Sequence, residues 1–99
     1  MGAKRYQTQE TAQIEVYGHA GLIVARMKDI SQTGARLEVA RGGYNPQIGD
    51  LLNLTVTLNS LNRRHNFSAE VVWQNDGLLG VCFISKDAIL EKMMAKNGV

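Results

Sequence analysis

The chain has 99 residues, of which 44% are hydrophobic and 20% charged, values typical of one globular domain and not of a disordered or fibrous chain. Eleven Lys and Arg residues against nine Asp and Glu residues leave a net charge of +2, too small to indicate bulk attraction to nucleic acid or an anionic membrane. The single cysteine excludes an internal disulfide, and the sequence holds no Cys/His cluster of the kind that binds zinc.

Alternation of apolar and polar residues predicts three strands in the first forty residues. The first strand spans 12–16, and a turn at 19–21 leads into a second extended segment over 22–30 that is rich in branched side chains. A third strand covers 35–39. A loop follows over 41–50, because this stretch contains two glycines and the only proline.

The second half of the chain predicts three more strands. The clearest alternation lies over 52–58, and the return strand over 67–73 is expected to turn its alternate side chains, including Trp73, toward the core. Residues 75–77 read Asn-Asp-Gly, which favours a tight hairpin because Asp and Gly tolerate positive φ. The last strand covers 79–83.

The hydrophobic period then changes to that of a helix. Ser85 is a candidate N-cap, and Asp87 lies in the first turn, where a carboxylate meets the positive end of the helix dipole. The helix carries an apolar stripe that we expect to cover the rest of the fold: Ile89, Leu90, Met93 and Met94. Six short strands followed by one helix indicate a small antiparallel barrel or sandwich, and a barrel also removes exposed strand edges.

Membrane and catalytic signals are missing from the sequence. No apolar run approaches the roughly 20 residues that span a bilayer, and the N-terminus lacks a signal-peptide pattern. We therefore expect a soluble, cytoplasmic domain. Because no G-x-S-x-G, H-E-x-x-H or Walker pattern is present, an enzyme is not expected. Cys82 lies within a strand and is most simply a small residue on or near the core.

The most informative segment is a D-x-S-x-x-G pattern formed by Asp29, Ser31 and Gly34, which joins the second strand to the third. Taken alone it is a connection, since Asp and Ser side chains cap turn amides and Gly accepts positive φ. Its position adds weight to a binding role, because it lies downstream of a basic N-terminus that carries Lys4 and Arg5.

With these residues the sequence resembles the PilZ domain family, bacterial receptor modules for the second messenger cyclic di-GMP. The family pairs an N-terminal R-x-x-x-R with a (D/N)-x-S-x-x-G at the end of a strand. The resemblance extends to the Ile48–Asp50 approach to a strand, to the late strand 69–73, and to the G-V-x-F ending of 77–83. One departure is that the first motif is damaged: from Arg5 the partner position is Gln9.

The resemblance implies a six-stranded antiparallel barrel with a C-terminal helix over 11–96, preceded by a flexible basic arm over 1–10. On that arm Arg5 would pair with phosphate or guanine, since its planar fork suits both, and order upon binding. Gln9 would donate one amide hydrogen bond without a charge. From the barrel surface, Asp29 and Ser31 would bond guanine edges or ligand hydroxyls, and Gly34 would leave room for a flat base.

Two further residues are candidates from their own positions. Arg36 alternates out of the core just after the motif, so it either reaches the ligand or is a solvated strand residue. Trp73 either stacks on a base or packs at the barrel end.

The expected function is that of a stand-alone cyclic di-GMP adaptor, which relays the level of the messenger to a protein partner in motility, biofilm formation or secretion. The alternative is a degenerate module that has lost the nucleotide and acts as a constitutive protein-interaction or oligomerisation domain. The loss of the second arginine favours this alternative, whereas the intact Asp29, Ser31 and Gly34 favour the receptor. No cofactor beyond the ligand, no DNA or RNA and no membrane insertion are expected.

Overall fold

The computed structural model describes residues 6–7, 10–40, 44–58 and 63–96. Within these residues it contains seven β-strands and one α-helix. In chain order they are β1 (Tyr6–Gln7), β2 (Thr11–Val16), β3 (Ile23–Ile30), β4 (Gly34–Val39), β5 (Leu51–Leu58), β6 (Arg63–Asn75), β7 (Leu78–Ile84) and α1 (Lys86–Lys96). Each of the six predicted strands corresponds to one of β2 to β7.

The six long strands form a closed antiparallel barrel made of two three-stranded meanders. In the first meander, β2 pairs with β3 and β3 with β4; in the second, β5 pairs with β6 and β6 with β7. The meanders join along two junctions, β4 with β7 and β2 with β5. The predicted barrel is therefore confirmed, and β1 is an additional short strand on β3.

The barrel interior is filled by the alternate side chains that the period-two pattern predicts. On β2 the buried and exposed residues alternate without interruption. The largest side chains with almost no exposure come from both meanders and pack in one cluster: Ile14, Met27, Leu37, Leu52, Leu54, Val56, Val71 and Leu79. Burial of such side chains stabilises the fold by about 1.5–3 kcal/mol each.

Two irregularities change which side chains point outward. The pairing of β3 with β4 shifts register between Met27 and Asp29, and that of β6 with β7 shifts between Val71 and Trp73. The extra residue at such a bulge reverses the alternation that follows it. The prediction that Trp73 faces the core is therefore wrong, since its side chain is 39% exposed.

The outer face of β7 carries the lone thiol. Cys82 is exposed, so its expected place on or near the core is wrong. The reason is the alternation of β7, in which Leu79 and Val81 are buried and the residue after them points outward.

The hairpin between β6 and β7 has the predicted turn. Asp76 and Gly77 have φ values of +48° and +88°, so the two-residue loop uses the left-handed region at both positions. β6 itself runs over 63–75, longer than the predicted 67–73, because its first half pairs with β5 and its second half with β7.

The C-terminal helix begins where the sequence predicts. The Ser85 Oγ accepts a hydrogen bond from the Ala88 backbone N–H at 3.1 Å, which makes it the N-cap. Lys92 forms an ion pair with Glu70 of β6, with 3.0 Å between Nζ and Oε1. Within the apolar stripe, Leu90 and Met94 are exposed, so these two side chains do not cover the barrel as expected.

The side chains of Ile89 and Met93, which complete that stripe, lie outside the part of the chain that the structure describes. None of the helices among the described residues has the length and apolar character needed to cross a bilayer.

Candidate functional site

Three expected site residues and one glycine that was not expected form one row across the outside of the barrel. Asp29 on β3 pairs with Arg36 on β4, Arg36 pairs with Gly80 on β7, and Gly80 pairs with Trp73 on β6. On the other side of β3, Asp29 pairs with Gln7 of β1. Neighbouring strands lie about 4.8 Å apart, so the row from Asp29 to Trp73 spans roughly 15 Å of surface.

Asp29 and Arg36 form a direct ion pair within this row. The Nε of Arg36 donates a hydrogen bond to Oδ2 of Asp29. The Asp29 side chain is almost fully buried, whereas that of Arg36 is 47% exposed. The bulge in β3 causes this contact, because it turns Asp29 away from the core and toward its partner on β4. Arg36 is thus a held cation at the surface rather than a freely solvated side chain.

Ser31 stabilises the turn between β3 and β4. Its Oγ accepts hydrogen bonds from the backbone N–H groups of Thr33 and Gly34, at 3.2 and 3.3 Å. The Ser31 backbone N–H donates to the Gly34 carbonyl at 2.8 Å. The side chain is buried, so its observed role is to fix the corner that places Asp29 and Arg36 on facing strands.

Gly34 is required by a close approach and not by its φ, which lies outside the left-handed region. The expectation that Gly34 accepts positive φ is therefore wrong. A Cβ at this position would overlap the backbone carbonyl oxygen of Val81 on β7. The missing side chain allows β4 and β7 to pair closely beside the row.

Trp73 packs its indole flat against the position where Gly80 lacks a side chain. A Cβ on Gly80 would overlap three ring atoms of Trp73, with Nε1 the nearest. Since Gly80 lies between Trp73 and Arg36, the indole is held over the strand next to the cation. This arrangement combines an aromatic surface and a guanidinium, the two groups that proteins use to bind purine bases.

Two of the expected ligand residues, Arg5 and Gln9, lie outside the described residues. The described chain nevertheless borders both of them. Tyr6 follows Arg5 directly and pairs with Ile30, and the Glu10 carbonyl, next to Gln9, accepts a hydrogen bond from the Met27 N–H at 2.8 Å. Tyr6, Gln7 and Glu10 thus each lie beside β3.

A separate groove of about 620 Å³ lies on another part of the barrel. Arg26, Glu38, Tyr44 and Asp76 are among its lining residues, and the row residues are not. The Tyr44 hydroxyl donates to the Asp50 carboxylate at 2.7 Å, and this hydrogen bond is the main reason that the pKa of Tyr44 is raised. Among its described lining residues, this groove carries one cation, Arg26, and two carboxylates, Glu38 and Asp76.

The row combines side chains of the kinds that proteins use to bind ligands. It offers guanidinium donors, one carboxylate that is already engaged and an aromatic face, which together suit a flat, anionic molecule. Among the residues that the structure describes, His, Cys, Asp and Glu side chains form no group of three that would hold a metal ion.

Gly80 is the residue of the site that sequence reasoning left without a role. An isolated glycine inside a strand is a signal for close backbone or side-chain approach, so its position in β7 was informative. The bulge that turns Trp73 outward has no comparable local signal, and without it the link between Gly80 and Trp73 is not visible in the sequence.

Comparison with known proteins supports this architecture. The sequence profile of the PilZ domain matches residues 3–96. The structure is similar to the PilZ domain of CeSA from a cellulose-synthesizing bacterium, with a TM-score of 0.70 and 9% identity over 97% of both chains. It is also similar to an uncharacterized Legionella protein, with a TM-score of 0.51 and 15% identity over 97% of this chain and 99% of the other. At such identities the structural matches show the fold alone. The curated proteins contain no significant match.

Proposed function

Because this chain belongs to the PilZ domain family, a cyclic di-GMP receptor fold, we propose that it binds cyclic di-GMP at the row of Asp29, Arg36 and Trp73. PilZ domains are binding modules, not enzymes. The observation that carries the proposal is that these three side chains, from β3, β4 and β6, share one outer row, although Trp73 is far from the other two in the sequence. The N-terminal segment pairs with the same stretch of β3.

The chemistry of the ligand fits this row. Cyclic di-GMP presents two phosphates and guanine edges rich in acceptors, and a guanidinium pairs with either in a bidentate manner. In this proposal Arg5 and Gln9 approach the ligand from the β1 side of β3. Arg36 approaches from the β4 side, and a base stacks on Trp73. Ser31 and Gly34 hold the corner between the strands, as their contacts support.

As a finer proposal, the protein is an adaptor that relays ligand binding to a protein partner. Between Arg5 and Gln9, Tyr6 and Gln7 pair with β3 as the short strand β1. A ligand held by Arg5 and by the row fixes this segment and changes the surface that a partner contacts. The relay requires that the ligand binds the ordered state more tightly than the other state, since equal affinities shift nothing.

Titration calorimetry with cyclic di-GMP tests the proposal. Wild type is expected to bind. Arg5→Ala removes a charge-assisted contact and Asp29→Ala removes the carboxylate that holds Arg36, so each is expected to weaken binding about tenfold to a hundredfold, which corresponds to about 1.5–3 kcal/mol. The matched control is Arg26→Ala, which removes an exposed cation from the same strand but outside the row, and it is expected to bind like wild type.

Two outcomes contradict the proposal in different ways. Absence of heat at about 100 μM ligand would show that the module has lost the nucleotide and leave the constitutive interaction domain in its place. Loss of binding in Arg26→Ala with normal binding in Asp29→Ala would move the site to the groove lined by Arg26. If wild type binds, Gln9→Arg is expected to bind more tightly, since it supplies the second arginine of the motif.

A further inference from the structure

The ion pair between Asp29 and Arg36 fixes which part of the guanidinium faces outward. Asp29 is almost fully buried and receives the Nε–H of Arg36. An arginine has five N–H donors, of which Nε carries one and the two Nη atoms carry four. Because Nε is the donor used, the Nη edge is the part available to a molecule lying on the row. The Asp29 carboxylate therefore orients the two Nη groups of Arg36 as a bidentate donor, and it also balances the charge of the guanidinium.

The indole of Trp73 supplies the second half of this arrangement. It covers Gly80, the residue directly opposite Arg36 on the next strand. The backbones of β4 and β6 are two strand spacings apart, about 10 Å, and the indole fills the middle of that interval. A base that stacks on the exposed side of this indole lies over Gly80, next to the strand that carries Arg36.

We infer that Arg36, aimed by Asp29, distinguishes guanine from adenine on the ligand that this row binds. The Hoogsteen edge of guanine offers two acceptors, O6 and N7, which match two N–H donors of an arginine fork. Adenine presents the N6 amino donor where guanine has O6, so an N–H of the same arginine fork would face another donor and could form no hydrogen bond there. Arg36 thereby supplies a guanidinium in a site whose N-terminal motif has Gln9 in place of its second arginine. The inference rests on the proposed function, since it assumes a cyclic dinucleotide on this row.

The test is the ratio of affinities for two cyclic dinucleotides rather than the affinity for one. Calorimetry with cyclic di-GMP and with cyclic di-AMP is run on wild type, Arg36→Gln, Arg36→Lys and the control Arg26→Gln. Wild type is expected to prefer cyclic di-GMP. Arg36→Gln is expected to lower that preference about tenfold to a hundredfold, because Gln pairs with adenine N6 and N7. Arg36→Lys keeps a cation beside the buried Asp29 but not the fork, and is expected to lose preference as well.

The outcomes separate the inference from the proposed function. If wild type binds neither dinucleotide, both are overturned. If wild type binds cyclic di-GMP but the Arg36 variants weaken both ligands by the same factor, or leave the ratio unchanged, Arg36 is only a charge or a structural residue and the inference alone fails. The Arg26→Gln ratio is expected to equal that of wild type, and a change there would also overturn the assignment.

A double-mutant cycle tests the positioning role of Asp29. If Asp29 acts through Arg36, Asp29→Asn is expected to lower the guanine preference about tenfold alone and to have no further effect in the Arg36→Gln background. An equal loss in both backgrounds would mean that Asp29 contacts the ligand itself, and the positioning role would be wrong.

Discussion

At the scale of single residues, Gly34 and Gly80 show that two glycines on paired strands are needed for different reasons. Gly34 faces a backbone carbonyl of Val81, which cannot move without moving β7. Gly80 faces the indole of Trp73, a side chain that is partly exposed and can rotate away. The two positions therefore differ in what a methyl group would displace.

This difference predicts unequal costs for the same substitution. Gly34→Ala is expected to lower the free energy of unfolding by about 3 kcal/mol and Gly80→Ala by about 1 kcal/mol, because only the former forces two strands apart. Urea denaturation measures both values. Gly80→Ala is also expected to change the fluorescence of Trp73, the only tryptophan in the chain. Equal destabilisation by the two variants would contradict this account.

The residues of the site were only partly predictable from the sequence. Asp29, Ser31 and Gly34 were marked by their spacing, and the tight corner that they form follows from ordinary turn chemistry. The pairing of Asp29 with Arg36 was not predictable, because it depends on a register shift that no residue type in the sequence indicates. Local pattern indicates which residues lie near a turn, while cross-strand partners depend on pairing that is decided by the whole barrel.

At the scale of the elements, the bulges in β3 and β6 determine which side chains lie on the outer row. If Lys28 were paired regularly with β4 instead of being bulged, simple alternation would turn Asp29 toward the same side as the buried Met27. The bulge in β6 similarly places Trp73 outside. Both strands keep an apolar inner face on either side of the bulge, so the sequence pattern predicts the strands correctly and the outward residues incorrectly.

Deletion of Lys28 tests the bulge in β3. Removing this residue makes the Met27–Leu37 and Asp29–Arg36 pairs consecutive, so the regular alternation that results keeps Asp29 on the outer face beside Arg36. Because the ion pair is retained, we expect the free energy of unfolding, measured by urea denaturation, to fall by less than about 3 kcal/mol, the cost of leaving a buried charge without its partner.

The control for this deletion is Lys28→Ala, which keeps the bulge. It removes only the ion pair of Lys28 with Glu38, whose charged atoms are 3.8 Å apart and partly solvated, and is expected to cost less than about 1 kcal/mol. A loss of about 3 kcal/mol or more in the deletion variant, beyond that of Lys28→Ala, would show that Asp29 loses its partner when the bulge is closed and would contradict this account.

At the scale of the whole molecule, the barrel and the helix differ in how firmly they are held. The barrel strands are paired on both sides and enclose one hydrophobic cluster. The helix is attached to β6 through Lys92 and Glu70, and exposes Leu90 and Met94. We therefore expect the barrel to unfold as one cooperative unit and the helix to open at lower free energy.

Ser85→Ala tests this division. Loss of the N-cap is expected to reduce the stability of the helix by about 1 kcal/mol and to speed amide hydrogen exchange in 86–96. The free energy of unfolding of the barrel is expected to change by less than about 0.5 kcal/mol. Slower or unchanged exchange in the helix, or a matching loss in the barrel, would contradict the division.

The row of site residues crosses the junction between β4 and β7, with Asp29 and Arg36 from one meander and Gly80 and Trp73 from the other. Neither meander carries a complete binding surface when it is separate. A molecule that spans the junction binds the closed barrel alone, and by mass action it raises the free energy of unfolding as its concentration exceeds the dissociation constant. Under the proposed function, the concentration of cyclic di-GMP therefore sets what fraction of this chain remains folded.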